Sequence, residues 1–409
     1  MAQHDAALAP KRGEEPRVEE TDSQDAQILR HLGYKPVLHR TYNLFHNFAV
    51  TFAALYFIGG VRVTFSTGIA AGGNLAYWTS FIVTCVFTFI TAAVIAETCS
   101  SLPLAGSIYL WAAEAGGPRF GRLFGQHPGR GQLHALARYF RWVFYASSFT
   151  VVLDFVMNLI WLPIGTANTY GFRSTHDAFM TTYNGTGAPA GWNWCLSYLA
   201  TAGILIGFDA SGHVAEETRN ASVSAARGIF WSTVVSGLGG FVVVILFLFC
   251  VPDADTLFSF GGAQPFVPLY AAVLGRGGHI AMNIVCVTAL WFNTAIAIIA
   301  ASRLVFAVAR DGVLPFSSWV ARVDPSTGQP HNAVLVVWGV ASLVTCSILP
   351  SAVAFTSLVS AAGVPSAAAY GLICLGRLTL TPTTWPKPRW SLGRWSRPSR
   401  MSGLYLRTR

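Results

Sequence analysis

From residue 228 to 251, and again from residue 280 to 302, the chain carries no Asp, Glu, Lys or Arg. A hydrocarbon core about 30 Å thick is crossed by about 20 apolar residues at roughly 1.5 Å rise each, so both runs read as membrane crossings. The rest of the chain agrees with them. Hydrophobic residues make up 53% and charged residues 11%, where a soluble domain carries about 25% charge. With 27 Lys and Arg and 18 Asp and Glu in 409 residues, the charged side chains are too few to cover such a surface in water. The composition excludes a disordered chain and argues against a soluble enzyme.

Applied along the chain, the same length test gives eight segments: 44–71, 76–96, 142–165, 194–212, 228–251, 280–302, 333–349 and 352–376. Loop charge supplies an independent orientation, because Lys and Arg collect on the cytoplasmic side. With the N-terminus inside, Arg119, Arg122, Arg130, Arg138 and Arg141 fall inside, as do Arg219, Arg227, Arg303, Arg310 and Arg322. The segment after Gly376 holds eight Lys and Arg and no acid, and falls inside too. The other side receives Arg173 and Arg276 beside Asp177, Asp253 and Asp255, together with the sequon Asn184-Gly185-Thr186. The expected organisation is a cytosolic tail at 1–43, a membrane domain of about eight helices at 44–376 and a basic cytosolic tail at 377–409. No cleavable signal precedes the first span. The net charge of +9 reflects this placement, so the partner expected is the bilayer and not nucleic acid.

A charge at the bilayer centre costs about 2.5 to 3.5 kcal/mol and needs a reason. Arg62, Glu97, Asp154 and Asp209 are the four in question. Arg62 follows Ile58-Gly59-Gly60-Val61, and paired glycines weaken a helix by about 1 kcal/mol each relative to Ala. Asp209 sits in Gly207-Phe208-Asp209-Ala210-Ser211-Gly212, again bracketed by glycine. Two interrupted helices would line a site, since unpaired backbone survives at membrane depth only inside protein or against a water-filled hollow; alternatively, the glycines only let helices pack closely. Glu97 reads either as an ion-pair partner of Arg303 or Arg310 or as a proton-coupling group. Asp154 either meets Arg62 or stays protonated. Pro163, after Trp161, reads as an interface stop, and Arg303 and Arg310 as snorkelling residues at a helix exit. The seven cysteines lie in apolar surroundings without metal-ligand spacing, so no metal and no cofactor is expected. No hydrolase, zinc-protease or P-loop motif is present, so an enzyme is not expected.

The stretch Gly207-Phe208-Asp209-Ala210-Ser211-Gly212-His213-Val214-Ala215-Glu216-Glu217-Thr218-Arg219 resembles the sixth-span signature of fungal amino-acid permeases of the amino acid/polyamine/organocation superfamily, in the branch of GABA and choline permeases. Ile58-Gly59-Gly60-Val61-Arg62, Ala96-Glu97-Thr98 and Ala309-Arg310-Asp311-Gly312 support it. The resemblance implies an all-α integral membrane protein with a LeuT-type inverted-repeat fold, here incomplete. The family's third and fourth spans are missing around 121–136, and its last two do not follow Trp395. It further implies a secondary transporter of amino acids or small amines such as GABA, polyamine or choline, proton-coupled, in the plasma or vacuolar membrane with both termini cytosolic. Gly59, Gly60 and Val61 would cradle a substrate carboxylate, and Gly207, Phe208, Asp209, Ala210 and Ser211 would face its amine. Asp209 and Glu97 are the proton-coupling candidates. A non-transporting sensor or an inactive truncated permease is the alternative.

Overall fold

The computed structural model describes residues 40–104, 106–116, 136–260, 264–324, 329–351, 363–381 and 385–393. The N-terminal tail to residue 39, the 121–135 segment, the first part of the eighth expected span (352–362) and residues 394–409 lie outside the described residues. Within them the chain is helical, and an isolated bridge between Tyr42 and Thr218 stands in place of any strand. The expected all-α class is borne out.

Helix α1 spans Leu44–Leu55 and α2 Phe57–Ser101, followed by α3 (Ser107–Ala115), α4 (Leu136–Asn168), α5 (Thr175–Met180) and α6 (Ala190–Ala202). Then come the short α7 (Ala210–His213), α8 (Ala221–Cys250), α9 (Ala254–Ser259), α10 (Phe266–Arg310), α11 (Ser317–Val320), α12 (His331–Cys346) and α13 (Gly363–Thr379). Asn43 starts α1 by accepting the His46 amide at 3.1 Å, while His46 Nδ1 accepts the Asn43 amide at 3.3 Å, a reciprocal cap with His in the usual Glu place.

Helix α2 is two crossings and not one. The Tyr77 hydroxyl lies 3.3 Å from the Val61 carbonyl and 3.0 Å from the Thr64 hydroxyl, whereas sixteen residues of straight helix would hold Val61 and Tyr77 about 24 Å apart. The chain turns back at Gly73, whose φ of 74° and ψ of −168° belong to glycine alone. An added Cβ there would sit 2.5 Å from the Tyr183 nitrogen. The loop expected between residues 71 and 76 is therefore a reversal inside what runs as one helix. Helix α10 repeats the device at Gly275, with φ 66° and ψ −177°. Gly73→Ala should lower the thermal midpoint of the purified protein by more than Gly171→Ala does. Both have positive φ, but Gly171 has nothing within 4 Å of its missing Cβ; strain alone costs about 1 to 3 kcal/mol, and Gly73 adds the clash. Equal losses would remove the close approach from the argument.

Lipid is as apolar as Leu, so close fit and not the hydrophobic effect joins helices in a membrane. Helix α8 shows how. Its Gly237, Gly239 and Gly240 form notches filled by Phe89, Phe57 and Phe81 of α2. The outward faces stay apolar: Phe149 is 67%, Trp231 54% and Leu343 75% exposed, as a chain solvated by lipid requires. Four helical stretches, 44–101, 142–168, 221–250 and 266–310, are long and apolar enough to cross a membrane.

Three expectations are corrected. Helix α4 runs five residues past Pro163 to Asn168; proline removes one backbone bond near a helix end, which membrane helices tolerate. Arg303 does not snorkel: it is 4% exposed, its Nε is 3.4 Å from Glu217 Oε1, and its Nη2 donates to Gln329 Oε1 at 2.7 Å. Arg310 pairs with Glu216 at 3.7 Å. Glu97 consequently has neither of them as its partner. It accepts from Arg377 Nη2 of α13 at 2.5 Å, because α13 and not α10 meets that end of α2. Past Arg377 the chain stays on the body, with the Trp390 amide donating to Ser100 Oγ at 2.7 Å and the Trp390 ring 5.7 Å from Phe230.

Candidate functional site

The first interruption is real but lies three residues ahead of the paired glycines. Helix α1 ends at Leu55, Tyr56 takes a left-handed conformation (φ 31°, ψ 56°), and α2 starts at Phe57. The glycines make room for what the break brings in. A Cβ on Gly59 would lie 2.2 Å from the Tyr56 ring, which folds back over it, and a Cβ on Gly60 would lie 3.0 Å from Ile204 Cγ2 and 3.3 Å from Ile204 Cα. A break also frees carbonyls of the helix that ends there. Asn293 of α10 meets two of them, its Nδ2 donating to Ala53 O at 2.8 Å and Ala54 O at 2.9 Å.

The second interruption falls where the glycine bracket places it. Helix α6 stops at Ala202, a 3-10 turn covers Gly203–Leu205, Ile206 is extended, and Gly207 has φ +90°. Asp209 then precedes the single turn of α7. Ile204, one of these unwound residues, is the neighbour that presses on Gly60, so the two breaks touch. They are tied at a second point, where Thr51 Oγ1 of α1 accepts the Ser211 amide at 3.1 Å. A third tie closes the far end. Thr41 and Tyr42 amides donate to Glu217 O at 2.8 and 3.0 Å, Arg219 N donates to Tyr42 O at 2.8 Å, and Asn47 Nδ2 donates to Thr218 Oγ1 at 3.1 Å.

Asp209 is 4% exposed. Its Oδ1 accepts from the Tyr370 hydroxyl of α13 at 2.9 Å, and His213 Nε2 stands 3.2 Å from Oδ2. That second approach has ion-pair distance without hydrogen-bond alignment, and both Asp209 Oδ2 and His213 Nδ1 are buried with no hydrogen-bond partner. Such orphaned atoms are expensive in a low dielectric. Phe208 and Tyr370 form an aromatic wall beside it, ring centroids 4.9 Å apart. The neighbouring Ser107 Oγ is also buried without a partner, and it is 3.0 Å from where a Cβ on Gly212 would stand.

Of the residues singled out in the sequence, Gly60 meets the second break at Ile204, Gly59 makes room for the Tyr56 ring, and Phe208 and Asp209 gather at Tyr370. Val61 is fully buried, and its carbonyl faces Tyr77. Ala210 packs in an apolar cluster with Ala49, Val50 and Ile296. Ser211 turns its hydroxyl away to Ala225 O at 3.0 Å. Glu97 stands apart, held by Arg377. The sequence did not expose Tyr56, Asn293 or Tyr370; Asn293 carried a signal, as one of two amides, with Asn283, in the uncharged 280–302 run. A groove of about 470 Å³ beside Val267, Ile280, Asn283 and Val287 lies along α10, and none of the break residues lines it.

Comparison with known proteins now bears on this geometry. The profile of the family described as "Amino acid permease" matches residues 132–403. The chain is 44% identical to the thiamine transporter thi9 of Schizosaccharomyces pombe, with 92% of this chain and 78% of that protein covered. The chain belongs to the amino acid permease family. Its members here include the amino-acid permease BAT1 of Arabidopsis thaliana, 26% identical over 90% of this chain and 83% of that one. A putative polyamine transporter of Candida albicans is 28% identical over 51% of this chain and 38% of its own length. The permease is thus an integral membrane transporter and not an enzyme, as its resemblance implied. The match to the thiamine transporter runs over 459 residues, more than the 409 of this chain, so within the matched stretch that protein has sequence this one lacks.

Proposed function

We propose that this permease carries a small nitrogen-bearing cation across the membrane by alternating access around the two crossed breaks. The carrying observation is Asp209: a carboxylate at an unwound helix, buried, with one oxygen that faces His213 at 3.2 Å but has no hydrogen-bond partner, and an aromatic pair beside it. A carboxylate so placed recognises a positive or N–H-rich group, and the Phe208 and Tyr370 rings favour a flat or cationic one. Thiamine, a ring cation with an exocyclic amine, is the first substrate to test because of the 44% identical thiamine transporter. Amino acids, GABA, polyamines and choline are the competitors. The half-helix beginning at Phe57 would face any substrate carboxylate, its first new backbone bond being Gly60 N to Tyr56 O at 3.0 Å. Cells lacking their own thiamine uptake and expressing this chain should accumulate labelled thiamine, with unlabelled amines competing according to their charge. Accumulation of none of these compounds would overturn the reading.

Proton coupling fits the first break better than sodium coupling. In secondary transporters, carbonyls freed by a break take the coupling cation. Here the Ala53 and Ala54 carbonyls already receive the two hydrogens of the Asn293 amide. Uptake should therefore be unchanged when potassium replaces sodium outside the cells, and should fall when the proton gradient is collapsed. A sodium requirement would contradict this. Asp209 and Glu97 remain the candidate proton carriers, and Asp209 has the stronger placement because Glu97 is committed to Arg377. The charge pattern supports termini in the cytosol of a cell whose plasma or vacuolar membrane holds the protein.

A second reading has its own observation. The thiamine transporter contains sequence within the matched stretch that this chain lacks, and a carrier missing walls of its path would bind without carrying. That reading, a non-transporting sensor or inactive permease, predicts saturable ligand binding to membranes with no accumulation.

A further inference from the structure

A buried polar network stands beside the first break. Asp154 of α4 is fully buried, and both its oxygens are filled. Arg62 Nη2 donates to Oδ1 at 2.8 Å and to Oδ2 at 3.0 Å. Asn158 Nδ2 reaches Oδ1 at 2.8 Å, and the Tyr56 hydroxyl reaches Oδ2 at 2.7 Å. Tyr270 closes the circuit, accepting from Arg62 Nε at 3.1 Å and donating to Asn158 Oδ1 at 2.6 Å. Cys286 Sγ also donates to Asp154 Oδ1 at 3.6 Å, so five pieces of chain converge here: the break itself, the first crossing of α2, α4, and the limbs of α10 before and after Gly275.

An ion pair this deep is no efficient route to stability, since desolvating two charges offsets their attraction. One feature of the network has a definite task. Tyr56 is not glycine, yet it takes a left-handed conformation that disfavours any residue with a Cβ. Its ring lies over Gly59, where no side chain blocks it, and its hydroxyl ends on Asp154. We infer that Asp154, oriented by Arg62 and Asn158, is a positioning residue that clamps Tyr56 through its hydroxyl and so sets where the first transmembrane helix breaks. The clamp acts on the hinge and not on the substrate. For its transport consequences it rests on the carrier reading above.

The clamp predicts an inverted order of damage at position 56. Tyr56→Phe keeps the ring and the conformational demand but loses the hold. Tyr56→Gly loses the whole side chain yet adopts the left-handed form freely. Uptake of labelled thiamine, at matched surface level, should fall about tenfold in Tyr56→Phe and less than threefold in Tyr56→Gly. Asp154→Asn also strands the Arg62 charge in any background, so the clamp is read from the difference: Asp154→Asn should cost about tenfold more in the wild-type background than when added to Tyr56→Gly. Because Asp154→Asn leaves Arg62 without its charge partner, Tyr56→Phe, which leaves that ion pair intact, is the decisive variant should the other fold poorly. The same variants, purified as full chains in detergent, are read by hydrogen–deuterium exchange over residues 50–62, where Tyr56→Phe should exchange several times faster than both wild type and Tyr56→Gly. Tyr56→Phe indistinguishable from wild type in exchange, or Tyr56→Gly worse than Tyr56→Phe, overturns the clamp. Exchange in the expected order with no uptake by any form, wild type included, leaves the clamp standing and removes the transport reading.

Discussion

Asp209→Asn should reduce uptake roughly thirtyfold at unchanged surface level, the loss of about 2 kcal/mol that follows from removing one partner of a buried charge contact. The substitution is close to isosteric and keeps an oxygen for the Tyr370 hydroxyl, which lies 2.9 Å away, so the fold has no reason to fail. What disappears is the negative charge at Oδ2, the buried atom left without a hydrogen-bond partner. If that oxygen meets a cationic substrate, KM rises. If it carries the coupled proton, Vmax falls, and uptake loses its dependence on the proton gradient. A variant with wild-type KM and Vmax would take Asp209 out of the mechanism and return its neighbourhood to packing.

The second large effect is expected at Gly60. A Cβ there would meet Ile204 at 3.0 Å from its side chain and 3.3 Å from its Cα. The side chain can turn, but the backbone of an unwound stretch held by its own turn cannot retreat without moving the break. Overpacking of this kind costs about 1 to 3 kcal/mol, so Gly60→Val should lose more than tenfold in uptake, with Gly60→Ala between it and wild type. Gly203, one residue before Ile204, provides the control. Its φ is −65° and its missing Cβ has nothing within 4 Å, so Gly203→Ala should transport normally. Uptake in cells with surface protein quantified decides the comparison. Equal loss in Gly60→Val and Gly203→Ala would mean that small residues matter here in general and that the contact between the breaks does not.

The two glycine positions also show what the sequence could reveal and what it could not. Gly59 and Gly60 announce a helix under stress, and a reader places the break on them. The break is at Tyr56, a residue with no turn chemistry, because the glycines serve as space for an aromatic ring and for a neighbouring backbone. That neighbour is 144 positions away, so its arrival leaves no local mark. Around Asp209 the glycine itself adopts the required φ, and there the break and the signal coincide. Apolar runs translated well into helices, since the length of a crossing is fixed by the bilayer. Ion pairs did not. Glu97 had Arg303 and Arg310, both near the end of α10, as its expected partners, and only the packing of α13 against α2 selects Arg377. Asn293 was legible in principle: an amide deep in an uncharged run must find acceptors, either on its own helix, as Asn283 does at His279 O, or at a helix break, where free acceptors occur in a membrane. Attention to charge alone passed over it.

Substrate is expected to pass where the two interrupted helices cross. A cysteine pair replacing Gly60 and Ile204, where a Cβ at position 60 would stand 3.5 Å from the Ile204 Cβ and so within disulfide reach, measures this directly in membranes, in a background from which the seven native cysteines have been removed. The pair should cross-link under oxidation and stop thiamine uptake, and reduction should restore both the free thiols and the uptake. Failure to cross-link, or a cross-linked protein that transports at the reduced rate, would contradict it.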